Sequence, residues 1–381
     1  MTTLDAFDQD LGQRLAALEA QGLRRALRLP HGIDLVSNDY LGLADHPHLI
    51  ERMTEALSSV GAGAKASRLL RGHLPIFDET EARLAAFSGT PAALLFGSGW
   101  AANLGLLTSL LEAGDLVFSD ERNHASIIDG LRLAGVRKVV YGHNDVDGLA
   151  RMLHGPRPRR TFIVTESVFS MDGDLAPLKE LCDLADAHRS LVIVDEAHAT
   201  GLYGPRGSGR VEDLGLRERV LLSMHTGGKA LGVGGAWVAG SSTLRDLLVN
   251  RARSFIFSTA PLPIMAVGLG AALDVLEREP QRRHEVHRKA GLLRDALRAA
   301  GVEVGASASP IVPLIVGENE RALGLAAALQ EDGFDTRAIR PPTVPKGTAR
   351  LRVTVRYPVS DEDLGRFVER VREQIGKPGQ V

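Results

Sequence analysis

The sequence predicts an α/β protein with a mostly parallel central sheet, followed by a smaller α+β domain. Between Pro91 and Gly240, short apolar runs bounded by Gly, Asp, Asn or Pro alternate with helix-like segments. This alternation is typical of a parallel sheet covered by helices on both faces. After Leu262 the pattern changes to long helices and two widely spaced strands. A chain of 381 residues is long enough for about two to three such units.

The strands predicted for the central sheet are compact runs of aliphatic and β-branched residues. They span residues 92–96, 116–119, 138–141, 161–165, 191–194, 220–224 and 236–239. Between them, residues 125–134 and 177–188 predict covering helices. Ligands of such sheets bind at the carboxyl ends of the strands, so the residues that follow each run are the first candidates for a site.

The two ends of the chain predict further elements. The leucine spacing in residues 11–27 predicts an N-terminal helix that ends before Pro30. The C-terminal helices are predicted at 264–276, 284–300 and 362–375, and the strands at 312–316 and 351–355. We therefore expect an N-terminal helix and arm in residues 1–45, a large cofactor-binding domain in 46–262 and a small domain in 263–381.

Charge and composition exclude several classes of protein. The chain has 45 Lys and Arg against 47 Asp and Glu, a balance that argues against general nucleic-acid binding. The single cysteine, Cys182, excludes an intrachain disulfide and a cysteine-based zinc site. The uncharged stretches 84–111 and 254–273 are interrupted by polar residues or proline, and the N-terminus has no apolar signal core. We expect a cytoplasmic enzyme without a membrane span.

A glycine motif follows the first strand of the sheet. Gly97-Ser-Gly99-Trp-Ala-Ala102 fits the G-x-G-x-x-G/A dinucleotide fingerprint, and the next predicted strand leads to Asp120, where a ribose-binding acid would lie. An NAD-dependent dehydrogenase is therefore one alternative. The motif by itself says less, because small residues at a helix N-terminus let backbone N–H groups approach the phosphate of any phosphorylated cofactor.

A second motif lies after the strand at 191–194. Asp195-Glu-Ala-His198 spells the DEAH box of helicases, but an NTPase also requires Gly-Lys followed by Ser or Thr. Gly228-Lys229 is followed by Ala230, so the magnesium-binding hydroxyl is missing. The same stretch combines differently with Lys229, which stands between glycines on a loop just after the next strand.

Pyridoxal 5'-phosphate (PLP) chemistry requires this combination of residues. A PLP enzyme needs a lysine for covalent attachment, an acid that keeps the pyridine nitrogen protonated, and a phosphate cradle. Lys229, Asp195 and the helix N-terminus at Gly99 can supply the three. His124 follows another strand and can stack on the ring, although an isolated histidine there would equally fit a helix cap or a packing role.

Six short stretches of the chain share one further pattern. They are SNDYLGL at 37–43, NHAS at 123–126, VFSMDGD at 168–174, VDEAHATG at 194–201, TGGKALG at 226–232 and IRPPTVPKGTARLR at 339–352. Together they resemble the α-oxoamine synthase family of fold-type I PLP enzymes over nearly the whole chain. The RPPTVP run favours the branch of that family that acts in biotin biosynthesis. The resemblance implies the aspartate-aminotransferase-like fold and PLP as cofactor.

The resemblance implies catalytic and ring-binding roles for five residues. Lys229 matches the lysine that binds the cofactor covalently and then serves as base. Asp195 matches the partner of the pyridine nitrogen, and His198 matches the group near the phenolate oxygen. His124 matches the stacking histidine, and Ser170 resembles a further contact to the ring.

The resemblance also places the phosphate group and implies a dimer. Gly99, Trp100 and Thr226 match phosphate-site positions. Ser258 and Thr259 resemble a segment that reaches the phosphate from the partner subunit. A homodimer with its active sites at the subunit interface is therefore implied.

The substrates that the resemblance implies are an amino acid and an acyl-CoA. Arg352 resembles the arginine that holds the amino-acid carboxylate, and Asn38 lies in a motif at the same site. Arg24 resembles an arginine near the acyl substrate, although a surface charge at a helix end would fit it equally. The implied reaction condenses L-alanine with pimeloyl-CoA and releases CoA and CO2. A relative that uses glycine and a short acyl-CoA is the alternative.

Four positions depart from the family pattern. Phe77 stands where histidine is common, His225 and Ser167 replace glycines, and Ala66 replaces another glycine. None of them removes a catalytic group. We expect Phe77 and Ala66 to bear on acyl-chain specificity and His225 to lie close to the phosphate.

Overall fold

The structure is a computed structural model that describes residues 2–155 and 158–375. Its strands are β1 Ile33–Asp34, β2 Ala92–Phe96, β3 Leu116–Asp120, β4 Arg137–Tyr141, β5 Thr161–Glu166, β6 Leu191–Asp195, β7 Leu222–Thr226, β8 Ala236–Gly240, β9 Ile311–Gly317, β10 Phe334–Asp335, β11 Ala338–Ile339 and β12 Ala349–Thr354.

The same residues form fourteen α-helices. They are α1 Thr3–Ala20, α2 Pro47–Val60, α3 Pro75–Ser88, α4 Gly99–Leu110, α5 Ala125–Ala134, α6 Val146–Leu153, α7 Leu178–His188, α8 Arg210–Asp213, α9 Ser242–Arg251, α10 Arg253–Ile256, α11 Pro263–Arg278, α12 Gln281–Ala299, α13 Asn319–Glu331 and α14 Asp361–Ile375. A 3₁₀ turn spans Arg217–Arg219.

The central sheet confirms the α/β prediction. Its order is β2-β8-β7-β6-β5-β3-β4, and only β8 runs antiparallel to its neighbours. Glu166 at the end of β5 lies opposite Asp195 at the end of β6. Because the carboxyl ends of parallel strands meet at one edge, these acids share that edge with the loop that follows β7.

A second, antiparallel sheet of order β11-β12-β9 lies in the C-terminal part of the chain. Its buried cluster includes side chains from α12, α13 and α14, and also Leu35 and Phe334 beside the short β1–β10 pair. α11 instead packs its buried side chains into a cluster with residues of α2 and α3. The domain boundaries after residues 45 and 262 stay predictions.

Capping residues fix the two helices that begin at the site. Ser98 precedes α4, and its hydroxyl accepts from the Ala101 N–H at 3.2 Å. His124 precedes α5, and its Nδ1 accepts from the Ser126 N–H at 3.2 Å. Side chains of this kind satisfy the unpaired N–H groups at a helix start, so sequence signals at both strand ends set where the helices begin.

The N-terminal helix differs from its prediction. It spans Thr3–Ala20, because Thr2 and Asp5 form a capping box at its start and Gly22 adopts a φ of +64° just beyond its end. A φ of this sign suits glycine and ends a helix, so the leucines after Gly22 do not continue it. No residue of α1 is buried. Neither α1 nor any other helix in residues 2–155 and 158–375 is long and apolar enough to cross a membrane.

Candidate active site

Lys229 lies on the glycine loop after β7, where its amine faces two acids of the neighbouring strands. Burial lowers the pKa of Lys229 to about 8, although the negative charges of Asp195 and Glu166 act to raise it. A lysine with a pKa near neutrality has an appreciable uncharged fraction, and only the uncharged amine can act as nucleophile or base. The surroundings of Lys229 therefore suit the predicted role of this residue as covalent anchor and base.

Asp195 is the last residue of β6 and is buried. Its Oδ2 accepts from the Asn103 amide at 2.9 Å, and its Oδ1 accepts from the Ala197 N–H at 2.8 Å. Each carboxylate oxygen of Asp195 accepts one hydrogen bond, so the group is held in place and can still accept from a further donor. Asn103 was not predicted, although it follows the glycine motif by one residue.

The same amide links Asp195 to the predicted stacking residue. Asn103 also donates to the Ser126 hydroxyl at 2.9 Å, and that hydroxyl lies 2.8 Å from Nδ1 of His124. Burial is the main cause that lowers the pKa of His124, and the charge of Lys229 lowers it further, while Asp195 opposes the shift. The contacts at Nδ1 hold the orientation of the ring that the sequence predicts to stack on the cofactor.

Glu166 is a site residue that the sequence analysis missed. It is buried at the end of β5, and within residues 2–155 and 158–375 its Oε1 has no hydrogen-bond partner. Burial raises the pKa of Glu166 well above its ordinary value, and the charge of Asp195 raises it further. The sequence predicts a strand that ends at residue 165, which would leave this acid on a loop. In the structure, β5 extends to Glu166.

Arg352 contacts a second predicted substrate residue, Asn38, and the loop that holds Ser170. Its guanidinium donates to the Asn38 Oδ1 at 3.0 Å and to the Ser170 carbonyl at 2.5 Å. His198 is buried nearby, and burial with the charges of Lys229 and Arg352 holds the pKa of His198 well below its ordinary value. The structure therefore gathers these predicted residues, which lie far apart in the sequence, around one centre.

The predicted phosphate position is open. A Cβ added at Gly97 would meet no atom within 4 Å, and one added at Gly99 would meet only Met224 Cε, at 3.8 Å. Thr226 accepts from the Gly228 N–H at 3.3 Å at the end of β7. A helix N-terminus facing free space suits an anion, so these residues fit a phosphate group.

Trp100 stands on the first turn of α4, with its ring edge-on to His124 at a centroid distance of 6.3 Å. The side chain remains 45% exposed. This predicted residue therefore lies beside both the phosphate position and the stacking histidine.

Three predicted residues are on the surface of the single chain. Arg24 pairs with Glu19 at 2.6 Å, and Ser258 donates to the Thr259 carbonyl at 3.2 Å. Within the described ranges, none of Arg24, Ser258 and Thr259 hydrogen-bonds to a predicted site residue outside this group of three. Their roles stay predictions.

The departures from the family pattern have structural partners. Phe77 is buried, with the Arg68 guanidinium 4.4 Å from its ring centroid. His225 stacks on Trp237 at 5.0 Å and faces away from Thr226, since neighbouring strand residues point to opposite faces. Burial lowers the pKa of His225 to about 3, so this ring is neutral.

The other two departures lie on loops. The Ser167 hydroxyl donates to the Glu196 carboxylate at 2.5 Å, and the Ala66 carbonyl accepts from the Ala260 N–H at 3.0 Å. The first contact joins the loops that follow β5 and β6. The second joins the α2–α3 loop to the α10–α11 loop through the backbone.

The dehydrogenase alternative is wrong about Asp120. This acid is 1% exposed, and its carboxylate accepts from the backbone N–H groups of Arg122 and Asn144 at 2.8 and 2.9 Å. His143 takes a further contact at 3.0 Å. A carboxylate committed to these donors anchors loops and has no position from which to bind a ribose.

A cavity of about 750 Å³ opens beside His124 and Ser170. Its far side is the loop of the RPPTVP run, including Pro342, Thr343 and Val344. The Arg340 guanidinium of the same run donates to the Gly22 carbonyl, which joins the N-terminal arm to this loop. The cavity is large enough for part of a chain-like substrate next to the predicted ring position.

Comparison with known proteins identifies the family. The family model "Aminotransferase class I and II" matches residues 30–371. An 8-amino-7-oxononanoate synthase of Anaeromyxobacter dehalogenans is 49% identical over 91% of this chain and 90% of its own. The structure of Sphingomonas wittichii serine palmitoyltransferase matches with a TM-score of 0.90 and 28% identity over 98% of both chains. That of the Francisella tularensis 8-amino-7-oxononanoate synthase matches with a TM-score of 0.78 and 27% identity over 90% of this chain and 98% of its own.

The cofactor follows from the same comparison, since a serine palmitoyltransferase structure that contains PLP matches with a TM-score of 0.90. PLP is the cofactor of this enzyme, and the open phosphate position and the Lys229–Asp195 arrangement fit it. The chain thus belongs to the aminotransferase class I and II family of PLP enzymes, within which it resembles the α-oxoamine synthases.

Proposed function

We propose that the enzyme condenses L-alanine with pimeloyl-CoA, giving 8-amino-7-oxononanoate, CoA and CO2 in biotin biosynthesis. The observation that carries the proposal is the position of Lys229, with its pKa of about 8, near the charges of Asp195 and Arg352. Two other site residues, His124 and Ser170, line a cavity of about 750 Å³. The names of the relatives that match over most of the chain support the same reaction.

Side chains of this chain would hold the cofactor at each of its polar groups. When bound, PLP withdraws electrons from the α-carbon of an amino acid, so that its proton and its carboxylate can leave. Lys229 Nζ would carry it covalently, Asp195 would face the pyridine nitrogen and His124 would cover one face of the ring. The phosphate would lie against Gly99, Trp100 and Thr226, and the phenolate oxygen near His198. Ser170 would make a further contact to the ring.

The protein groups then orient the amino acid and move its proton. We assign the carboxylate to Arg352, with Asn38 holding that guanidinium at 3.0 Å. Holding the carboxylate directs the α-C–H bond, and the uncharged Lys229 Nζ accepts that proton. Asp195 favours a proton on the nitrogen that it faces, because an opposite charge stabilises the protonated form of a base.

The cavity supports an acyl substrate longer than acetyl. Its volume of about 750 Å³ includes apolar walls at Ile128, Met171 and Val344, next to the ring position at His124. An acyl chain would lie along these walls with its thioester near the ring. Arg24 would lie near the acyl substrate, since its neighbour Arg25 contacts Thr343 of the cavity wall at 3.4 Å.

The substrate pair is tested by a thiol-release assay that crosses alanine, glycine and serine with acetyl-, succinyl-, pimeloyl- and palmitoyl-CoA. We expect the highest kcat/KM for alanine with pimeloyl-CoA, and 8-amino-7-oxononanoate as the product by mass spectrometry. Preference for glycine with a short acyl-CoA would overturn the proposal and favour the glycine-using alternative. Release of no thiol from any pair by the PLP-loaded enzyme would overturn both.

We also infer that the enzyme is a homodimer in which Ser258 and Thr259 reach the partner's phosphate. Both are exposed, and Phe257 and Leu262 beside them are 71% and 46% exposed. The Ala260 N–H donates to the Ala66 carbonyl, which brings the exposed Leu69 and Leu70 to the same surface. Large exposed apolar patches of this kind are typical of interfaces.

Subunit complementation tests the shared site. A Lys229→Ala chain and a Ser258→Ala/Thr259→Ala chain should each be defective alone. Their mixed dimer has one site of two with neither change, so isolated mixed dimers from co-expression should show up to half of the wild-type activity. Absence of restoration in isolated mixed dimers, or full activity of a monomer in sedimentation, would contradict the shared site.

A further inference from the structure

Tyr40 occupies a position between two residues of the site. Its side chain is 1% exposed, and its hydroxyl lies 2.7 Å from Nδ1 of His198 and 3.5 Å from Nη2 of Arg352. Within residues 2–155 and 158–375, no group hydrogen-bonds to Nε2 of His198. The three side chains form one chain of contacts that begins at the arginine and ends at an unshared ring nitrogen.

The direction of the hydrogen bonds follows from the chemistry of the three groups. An arginine can only donate, so the Tyr40 oxygen accepts from Arg352 and gives its own proton to Nδ1 of His198. His198 is neutral, because burial and the positive charges around it hold its pKa well below the ordinary value. A neutral imidazole that accepts at Nδ1 carries its one proton on Nε2.

We propose that Tyr40 is a positioning residue, which fixes His198 as the Nε2–H tautomer and so presents an N–H donor to the cofactor's phenolate oxygen. The inference rests on the proposed function, because the place of His198 beside that oxygen belongs to it. The hydrogen bonds through Tyr40 connect Arg352, which we assign to the amino-acid carboxylate, to His198, which donates to the cofactor. Binding of the carboxylate thus acts on the hydrogen-bond chain that ends at the cofactor.

Tyr40 contacts the ring of His198, and the charges of Lys229, Arg352 and His124 are near enough to lower the pKa of His198. Of these, Tyr40 makes the one hydrogen bond to the ring within the described residues. Replacing it by phenylalanine removes one oxygen and leaves the other three groups in place. His198 then loses the contact that holds Nδ1 as an acceptor, and the Nδ1–H tautomer becomes populated beside the Nε2–H tautomer.

The tautomer is measured directly in the cofactor-free protein, by long-range ¹H–¹⁵N spectra of ¹⁵N-histidine-labelled wild type with a His198→Gln sample for assignment. We expect the Nε2–H pattern in the wild type and averaged nitrogen shifts in Tyr40→Phe. The matched control is Tyr203→Phe, a buried tyrosine whose hydroxyl instead contacts the Ala308 carbonyl at 3.4 Å. An Nδ1–H wild type would overturn the inference even if Tyr40→Phe failed to fold.

The second readout is the pH midpoint of the cofactor's absorption change in loaded enzyme. Loss of an aimed donor makes the phenolate oxygen a stronger base, so Tyr40→Phe should raise the midpoint by roughly one pH unit. Tyr203→Phe should leave it unchanged. An unchanged midpoint in PLP-loaded Tyr40→Phe, or an equal shift in both variants, would overturn the inference. Failure of the proposed function is distinct, since it would show as wild type that releases no thiol while the tautomer spectra stay as expected.

Discussion

Two buried ionic clusters, around Arg68 and around Lys229, differ in how completely their polar atoms are bonded. Arg68 donates to both oxygens of Glu81 at 2.8 and 3.2 Å and to His73 at 3.0 Å, and Glu81 also accepts from the Leu95 N–H. Around Lys229, by contrast, Glu166 has an oxygen without a partner in the described residues. The first cluster is saturated by protein groups, whereas the second retains bonding capacity.

The contrast separates a structural ion pair from a chemical site. A saturated buried pair offsets its desolvation with fixed hydrogen bonds, and it has nothing left to offer a ligand. An unsaturated cluster shifts the pKa of its members instead, as the pKa of about 8 for Lys229 indicates. Substitutions in the first should therefore affect folding, and those in the second should affect chemistry.

The largest effect is expected for Lys229→Ala. The variant loses both the covalent anchor and the base, so kcat/KM should fall by about 10⁴-fold, the upper end for a positioned base. Folding should be retained, since the substitution removes a buried charge. Thiol release and circular dichroism check the two parts.

Borohydride reduction locates the attachment point. In wild-type enzyme, peptide mapping should find the pyridoxyl label on Lys229, and Lys229→Ala should take none. A label on Lys65 or Lys138 would show that the site is assigned wrongly and that the incompletely bonded cluster around Lys229 is not the chemical site.

Glu81→Gln should destabilise the saturated cluster and leave the chemistry alone. Arg68 would remain buried without its counter-charge, which costs about 3–5 kcal/mol of unfolding free energy. Denaturant unfolding measures this loss, and kcat per loaded site should stay within about twofold. The matched control is Asp129→Asn in the exposed pair with Arg132, which should not change the unfolding midpoint. A Glu81→Gln variant of unchanged stability and lost activity would contradict the assignment of the Arg68–Glu81 cluster to folding.

Asp195→Asn should slow α-proton removal while the cofactor still binds. The amide keeps one accepting oxygen and loses the charge, and a loss of roughly 3–4 kcal/mol of transition-state stabilisation slows the step by several hundredfold. Exchange of the α-proton of L-alanine in deuterated water, in variant with full cofactor absorbance, gives the rate. Exchange at the wild-type rate would mean that Asp195 does not face the ring nitrogen.

The smallest effect concerns a third cluster, in which both nitrogens of one histidine are bonded. His143 lies 3.0 Å from Asp120 and 2.6 Å from Asp174. Burial lowers the pKa of His143, but the hydrogen bonds and charges of the two acids outweigh it and raise the pKa to about 9. Because the folded pKa exceeds the unfolded value, this stabilisation is present below about pH 6.5 and is lost as the pH rises through about 9.

The wild type should therefore lose roughly 3 kcal/mol of unfolding free energy, relative to His143→Gln, between pH 6.5 and 9. The difference between the two pH profiles isolates His143 from other titrating groups. Parallel profiles would show that His143 is not charged in the folded state, and that its bonds resemble those of a neutral ring.

Sequence alone predicted the elements of the large sheet and the positions of Lys229, Asp195 and His124. Local signals sufficed there, because apolar runs mark the strands and parallel strands bring their carboxyl ends to one edge. The predicted ends of α1 and β5 were wrong, because each true end depends on a single residue. Gly22 ended α1 earlier than the leucine spacing indicated, and Glu166 was left outside its strand.

Only the tertiary structure decided which side chains meet and how they are protonated. Tyr40, His198 and Arg352 come from distant segments, and they meet because the Tyr357 N–H donates to the Tyr40 carbonyl at 2.7 Å and docks this segment on the C-terminal part. Spacing along a chain cannot encode such a meeting. Protonation depends on burial and on charges brought near by folding, so the raised pKa of Glu166 and the lowered pKa of His198 follow from packing and not from any motif.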